Sequence, residues 1–485
     1  MNSRLLRFPH SRVRAGVARG DITPPVGIYH RMWGAATHDR STGVHRPLTA
    51  TALCLTSAKA TGFDDGVVFI GVDHCLFWAA EMQRVLKGIV AVADVPADRI
   101  VVLFSHTHGA GLMGLERKDL PGGDLIEPYL DRLTSTIGAL VQTARNQMQP
   151  AGIAYGAGRC GLATNRDYFD DVAGRFVCGF NPGGVADDTV IAARVTSNSG
   201  ATLATIVNYA CHPTTLAWDN TLISPDYVGA LREVVEGATA APCLFIQGAS
   251  GDIGPRDGYV GDVAVADRNG RELGYAALST LEGLPAAGQS FAYTGPVVSG
   301  ATIGTWRHQP AGDAAARAAS IWSPRVTTVN LKYRADLGTR ETVERERGEW
   351  QAKQADAEQR GATEAARDAR AMVERATRCL TRLASLPAAG EYPYPIRAWR
   401  LGDAVWLALD GEHYNVLQRE LRIRFPDTPL VIGTLANGSN VWYLPDAQSY
   451  GKPGLYQEEA SVLAKGALEQ LIDATTTAIR ALFDS

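Results

Sequence analysis

No CxxC pair occurs in the 485 residues, and the seven cysteines (Cys54, Cys75, Cys160, Cys178, Cys211, Cys243, Cys379) are odd in number and scattered. Several sit in apolar runs such as Ala52-Leu53-Cys54-Leu55. That pattern points to reduced, buried thiols and a cytoplasmic setting. There is no excess of basic residues: the net charge is -4 and no polybasic cluster stands out. A nucleic-acid surface normally needs a concentrated basic face, so nucleic acid is excluded as a partner. No apolar stretch approaches the length of a membrane span. The N-terminus, Met1 to His10, also lacks the apolar segment of a secretory leader.

What is present is ordinary globular composition, 46% hydrophobic and 20% charged. The length would suit two or three average domains, or one large domain carrying insertions. Strand-like runs include Val67 to Val72, Ile100 to Phe104, Ala204 to Tyr209 and Cys243 to Ile246. Each is short, apolar or β-branched, and most are bounded by Gly, Asp or Pro. Helical periods lie between them, at Ala79 to Val90 and Leu125 to Gln147. From Arg340 to Leu386 the chain turns rich in Ala, Glu and Arg and breaks at Arg360-Gly361-Ala362, which predicts a solvated helical hairpin. Strand patterns resume at Ile396 to Trp399 and Ala404 to Leu409. The expectation is an α/β fold, one domain spanning 1–485 with a hairpin insertion at 340–386.

The ten histidines can be judged one by one. Ser105-His106-Thr107-His108 follows the apolar run ending at Phe104. In extended chain the two imidazoles would share a face, which makes half of a metal site or a ligand beside a general base. Small residues follow (Gly109-Ala110-Gly111), leaving room for close approach to the backbone. His212 also ends an apolar strand, before Pro213. His74 follows a third strand and would be a ligand or its support. Zinc accepts imidazole and carboxylate in open sites. The best carboxylate is Glu412, after Val405 to Leu409 and a turn at Gly411, with Asp410 competing and His413 facing away.

Gln247-Gly248-Ala249-Ser250-Gly251-Asp252-Ile253-Gly254-Pro255 follows another strand. It has neither P-loop nor dinucleotide spacing, and no GxSxG elbow surrounds Ser250. An oxyanion or substrate loop including Ser250, Gly251 and Gly254 is the better reading.

In their order, Arg19-Gly20-Asp21-Ile22-Thr23-Pro24-Pro25, Gly43-Val44-His45, Ser105 to Gly109, Asn165-Arg166, Ala210 to Thr214, Ile223 to Tyr227, Gln247 to Pro255, Gly411-Glu412, Leu435 to Gly438 and Tyr443-Leu444-Pro445 resemble the neutral (non-lysosomal) ceramidase family. The resemblance implies layered mixed sheets flanked by helices, and one zinc per chain held by His106, His212, Glu412 and Tyr443. The segment before Tyr443, Ser439 to Trp442, differs from the family's spacing. The resemblance also implies that His108, Arg166 and Tyr456 line the reacting carbonyl. Where ceramidases have an essential serine, this chain has Gly254. The expectation beside that resemblance is a catalytic domain alone, without the immunoglobulin-like C-terminal domain of secreted members.

The expected chemistry is zinc-assisted hydrolysis of a linear amide in a small-molecule or lipid substrate, on a compound other than ceramide. His108 would move protons, while Arg166, Tyr456 and N–H groups near Gly251 would steady the oxyanion, with Asp252 orienting one of them. Open alternatives are a true ceramidase acting on N-acylsphingosine, an amidohydrolase-type barrel, and a non-catalytic binder with a degenerate site. Mn or Fe also suits such ligands, and assembly into homo-oligomers is left open.

Overall fold

The computed structural model describes residues 4–388 and 390–484. Met1, Asn2 and Ser3, on which the leader reading partly rests, lie outside the described residues. Eight strands form the larger sheet, in the order Cys243–Gln247, Thr202–Tyr209, Thr189–Ser197, Gln149–Arg159, His10–Asp21, Thr49–Ser57, Val67–Val72 and Ile100–Phe104. Its two outermost pairs run parallel and the inner pairs antiparallel. A second sheet holds Trp322–Lys332, Glu391–Leu401, Ala404–Leu409 and Leu430–Gly433.

Side-chain alternation explains why these strands read as continuous apolar runs. On the strand Ile100–Phe104, Val101 and Leu103 face the second sheet, where they join Phe69, Leu244, Ile246, Trp399 and Trp406. Ile100, Val102 and Phe104 face the helices Ala79–Ala93 and Ile126–Asn146. Strand Ala404–Leu409 divides the same way. Trp406 joins the inter-sheet core, while Val405, Leu407 and Leu409 pack toward the helix Ala467–Ala481. Both faces of each strand are therefore dry, and period two is hidden in the sequence. The result is two sheets face to face with helices outside them. Helices Tyr227–Thr239 and Val263–Glu282 cover the far end of the larger sheet.

The larger sheet curls until its two edges approach each other. Gly71 is required there, since a Cβ would lie 2.6 Å from Leu244 Cδ1. The chain after Leu430–Gly433 runs between the two edges. Asn437 accepts the Val102 N–H at 2.7 Å, and Thr434 N–H donates to the Gln247 carbonyl at 2.9 Å. Strand ends from opposite edges of one sheet thus meet. The site is built there.

The hairpin forms as helices Arg340–Gln359 and Thr363–Ser385, turning at Gly361 with φ +69°. Thr339 caps the first by accepting the Thr342 N–H at 3.2 Å. Among the described residues, no helix is long and apolar enough to cross a membrane.

Candidate metal centre

His106 does not lie on extended chain. The strand stops at Phe104, His106 turns left-handed with φ +67°, and His108 opens a single 3-10 turn. The expected alternation therefore fails as a reason, although the two rings still meet, with centroids 5.1 Å apart. The small residues serve packing rather than ligand access. A Cβ on Gly109 would come within 2.7 Å of the Ser224 carbonyl, and one on Gly111 within 2.8 Å of the Tyr29 carbonyl.

The hydrogen positions on the two central imidazoles follow from their neighbours. His106 Nδ1 lies 2.8 Å from the Cys75 carbonyl oxygen, and His212 Nδ1 lies 2.8 Å from the Ser250 carbonyl oxygen. A carbonyl only accepts, so each Nδ1 carries the hydrogen and each Nε2 presents a lone pair. Those two Nε2 atoms stand 2.9 Å apart, and Glu412 Oε2 lies 3.2 Å from one and 3.3 Å from the other. Three buried electron-pair donors in a tight triangle repel unless they share a cation. Ligands on a tetrahedral zinc with bonds of about 2.0–2.1 Å sit about 3.3 Å apart. The donor set fits that ion, and carbonyl-anchored histidines are its usual support.

The electrostatics agree. Burial alone would raise the Glu412 carboxyl, but His106 and His212 outweigh it and hold it well below the usual carboxylate range. Burial would lower His106, yet Cys75 and Glu412 overcome that and raise it well above an ordinary imidazole, so positive charge is favoured at its Nε2, as a proton or as a cation in the proton's place. His212 falls to about 3 through burial, with Arg166 and His106 adding to the effect. The pocket draws positive charge onto one shared point.

Tyr443 is the parallel cross-strand partner of Glu412. Its ring stacks on His212 at 6.3 Å, and its hydroxyl accepts from Arg166 Nη2 at 3.1 Å. Arg166 is buried and donates to the Gly251 carbonyl from Nη2 at 2.6 Å and from Nε at 3.2 Å. Tyr456 begins the short helix Tyr456–Ala460, edge-on to Tyr443 at 5.6 Å, and is 36% exposed at the rim. His108 packs beside His106 and His212, with both ring nitrogens buried and unpartnered. Burial, then the neighbouring imidazoles, push it well below the ordinary value, so it is a neutral base.

The glycine-rich loop departs from expectation. The Gly251 N–H is committed to the His413 carbonyl at 2.7 Å, so it is not free for an oxyanion. Its lack of a side chain instead lets the Glu412 segment pass, because a Cβ would lie 2.6 Å from the Glu412 carbonyl oxygen. Ser250 acts through its carbonyl on His212, and its hydroxyl accepts from Gln247 Nε2 at 2.6 Å. The Asp252 carboxylate is occupied by Asn415 and Asn165. It accepts the Asn415 N–H at 2.6 Å and the Asn415 side-chain amide, while burial and then Asp167 push its carboxyl up to about 7. Asp252 thus anchors the chain just after Glu412. Gly254 lies in the strand Ile253–Pro255, near Arg166 and Thr214. His413 meets Tyr394 Oη at 2.8 Å, away from the centre, and His74 donates to Tyr129 Oη at 2.5 Å rather than joining the ligands.

The hairpin is not merely solvated. Helix Thr363–Ser385 packs on the loop around residues 31–39 and on the segment Tyr456–Ala460. Arg378 Nη2 donates to the Met32 carbonyl at 2.6 Å, Arg382 donates to the Ala460 carbonyl, and the Arg382 guanidinium sits 3.9 Å from the Trp442 ring centroid. Sequence reasoning also missed Trp33, whose ring packs on His108 at 5.1 Å, and Tyr259, 5.8 Å from Trp33. The available signal for Trp33 is a tryptophan beside Gly34 in a loop without period; Tyr259 has none.

Residues 13–255 match the sequence profile of the neutral/alkaline non-lysosomal ceramidase N-terminal region. The fold is similar to the crystal structure of neutral ceramidase from Pseudomonas aeruginosa, with a TM-score of 0.63 and 16% identity over 97% of this chain and 75% of that one. It is similar also to a structure described as ceramidase complexed with C2, with a TM-score of 0.62 and 16% identity over 97% of this chain and 76% of the other. No curated protein sequence matches.

Proposed function

The chain belongs to the neutral/alkaline non-lysosomal ceramidase family, and from that premise we propose that it is a zinc-dependent hydrolase cleaving a linear N-acyl amide other than ceramide. Its family and fold are those of ceramidase-type hydrolases. The observation carrying the metal is the tautomer pair. Both Nδ1 hydrogens are spent on carbonyls, so two imidazole lone pairs and the Glu412 carboxylate converge.

His106, His212 and Glu412 would hold the ion, with Tyr443 beside them. Zinc, when bound, supplies Lewis acidity that polarises a carbonyl and acidifies water. His108, neutral and with unpartnered nitrogens, takes the proton of the attacking water and passes it to the leaving amine. Arg166 carries a fixed positive charge against the developing oxyanion, held by the Gly251 carbonyl and Tyr443. Tyr456 guides substrate at the rim.

Two features favour a substrate other than ceramide. Gly254 brings no hydroxyl to the site. Helix Thr363–Ser385 is tied to Met32 and Ala460 close to Trp442 and Tyr443, and the ligands are at most 4% exposed. The free cysteines fit a cytoplasmic setting.

The test couples metal to activity. His106→Ala and His212→Ala should each lose zinc, measured by elemental analysis, together with hydrolysis of short N-acyl amides. Full zinc and full rate in either variant would refute the assignment. A wild-type rate on N-acylsphingosine exceeding that on every short amide would refute the substrate reading.

A further inference from the structure

Tyr259 stands in an unusual backbone conformation for a tyrosine. Its φ is +59°, in the left-handed region, and such outliers persist where the surroundings over-determine them. Here the surroundings are the loop leaving His212. Tyr259 N–H donates to the Thr214 carbonyl at 3.0 Å and Val260 N–H to the Thr215 carbonyl at 2.9 Å. Gly258 makes the turn possible, since a Cβ there would come within 2.9 Å of Pro255 Cγ and 3.1 Å of the Thr214 carbonyl oxygen. The Tyr259 side chain is therefore positioned by the same loop that follows a metal ligand.

The hydroxyl it delivers is buried and makes no hydrogen bond of regular geometry. It lies among charged and polar company all the same, beside Arg166 and Thr214. Burial raises the phenol against the pull of Arg166, so it keeps its proton and remains a donor. The ring is fixed edge-on by Trp33, and Trp33 in turn packs on His108. Gly254 leaves open the space near the same two partners. A Cβ there would reach Thr214 Oγ1 at 3.6 Å and Arg166 Cδ at 3.7 Å, with no closer neighbour. A buried donor that meets its neighbours, Thr214 and Arg166, only out of regular geometry gains when a ligand pairs with it squarely.

We propose that the Tyr259 hydroxyl is a catalytic hydrogen-bond donor to the reacting carbonyl oxygen, working beside Arg166. This rests on the hydrolase reading above. It assigns the oxyanion donor that the Gly251 N–H does not provide. The ring and its strained backbone are the scaffold, and the single O–H is the functional atom.

Tyr259→Phe removes that atom and keeps the ring against Trp33. The probe is methylphosphonate, a tetrahedral anion resembling the oxyanion of amide hydrolysis, titrated calorimetrically into zinc-loaded protein. The variant should bind it at least about tenfold more weakly, with zinc stoichiometry and Tm unchanged. On a short N-acyl amide, kcat should fall about 100-fold with KM little altered. Wild-type affinity and rate in the variant would overturn the proposal. Loss of zinc or of Tm in the variant would overturn it too, by showing a structural role. Zinc-loaded wild type that neither binds the phosphonate nor hydrolyses any amide would instead bring down the hydrolase reading, and this role with it.

Discussion

Glu374 gives the sharpest test of how the hairpin is held over the site. Its carboxylate accepts from Arg117 Nη2 at 2.6 Å and from Arg378 Nε at 3.0 Å, and its side chain is 15% exposed. Burial should raise this carboxyl, but Arg378 and Arg117 outweigh it and hold it at about 2, against an ordinary 4.5. That difference corresponds to about 3 kcal/mol favouring the charged, docked form. Arg117 is itself 1% exposed, so it has little recourse to water. Glu374→Gln keeps the shape and one acceptor but removes the charge. Breaking one partner of a buried pair costs about 3–5 kcal/mol. The apolar contribution to docking is small, because helix Arg340–Gln359 buries only Val343 and Ala357. The partner helix buries Ala369, Ala376 and Leu380 beside Arg382.

The loss should therefore appear as local undocking rather than global unfolding. Native-state hydrogen exchange reads it directly. At pH 7, amides within Thr363–Ser385 should exchange at least about 100-fold faster in Glu374→Gln, since about 1.4 kcal/mol corresponds to tenfold. The pH dependence has a definite sign. A carboxyl with a depressed folded pKa stabilises docking above about 4.5, and that stabilisation fades as pH falls toward 2. Wild-type protection, corrected for intrinsic exchange, should decline across that window while the variant stays flat. Equal protection in the two proteins at pH 7 would refute the role given to this ion cluster.

Two glycines carry opposite expectations. In Gly251→Ala the new Cβ meets backbone atoms of Glu412 and His413 at 2.6–2.9 Å. These cannot swing aside, so Glu412 should shift and zinc affinity fall 10–100-fold in chelator competition; unchanged affinity would refute this. In Gly254→Ser the Cβ makes only ordinary contacts of 3.6–4.0 Å. Stability should stay within about 0.5 kcal/mol, while turnover of N-acylsphingosine should rise relative to short amides. Destabilisation beyond about 2 kcal/mol, or no change in that ratio, would count against it.

Much of the architecture could be read from residue pattern alone. The runs Val67 to Val72, Ile100 to Phe104 and Ala404 to Leu409 are strands with those limits, and the hairpin turns at Gly361 as expected. Local signals suffice because each run is short, β-branched and bounded by breakers. The direction of His106 was beyond such reasoning. Alternation assumes an extended chain, and the left-handed turn at His106 is imposed by the His74 carbonyl, which accepts its N–H at 2.9 Å. The hairpin's packing was likewise hidden. Arg378, Arg382 and Glu374 look like a solvated helix face until their partners on distant loops are known.

The same distinction governs the proposed metal centre. That His106, His212 and Glu412 each end an apolar strand is a local property, and it was enough to nominate them. That they meet is global. His106 and His212 leave strands at or beside opposite edges of an eight-stranded sheet, and two such points stay far apart in a flat sheet. They come together because the sheet curls, because Gly71 lets Leu244 close in, and because Asn437 and Thr434 join the two edges. Glu412 is tied to that same stretch of chain, as the Leu435 N–H donates to the Gly411 carbonyl at 3.2 Å. The segment that closes the sheet therefore also fixes the third ligand, and the centre can form only when the closure is complete.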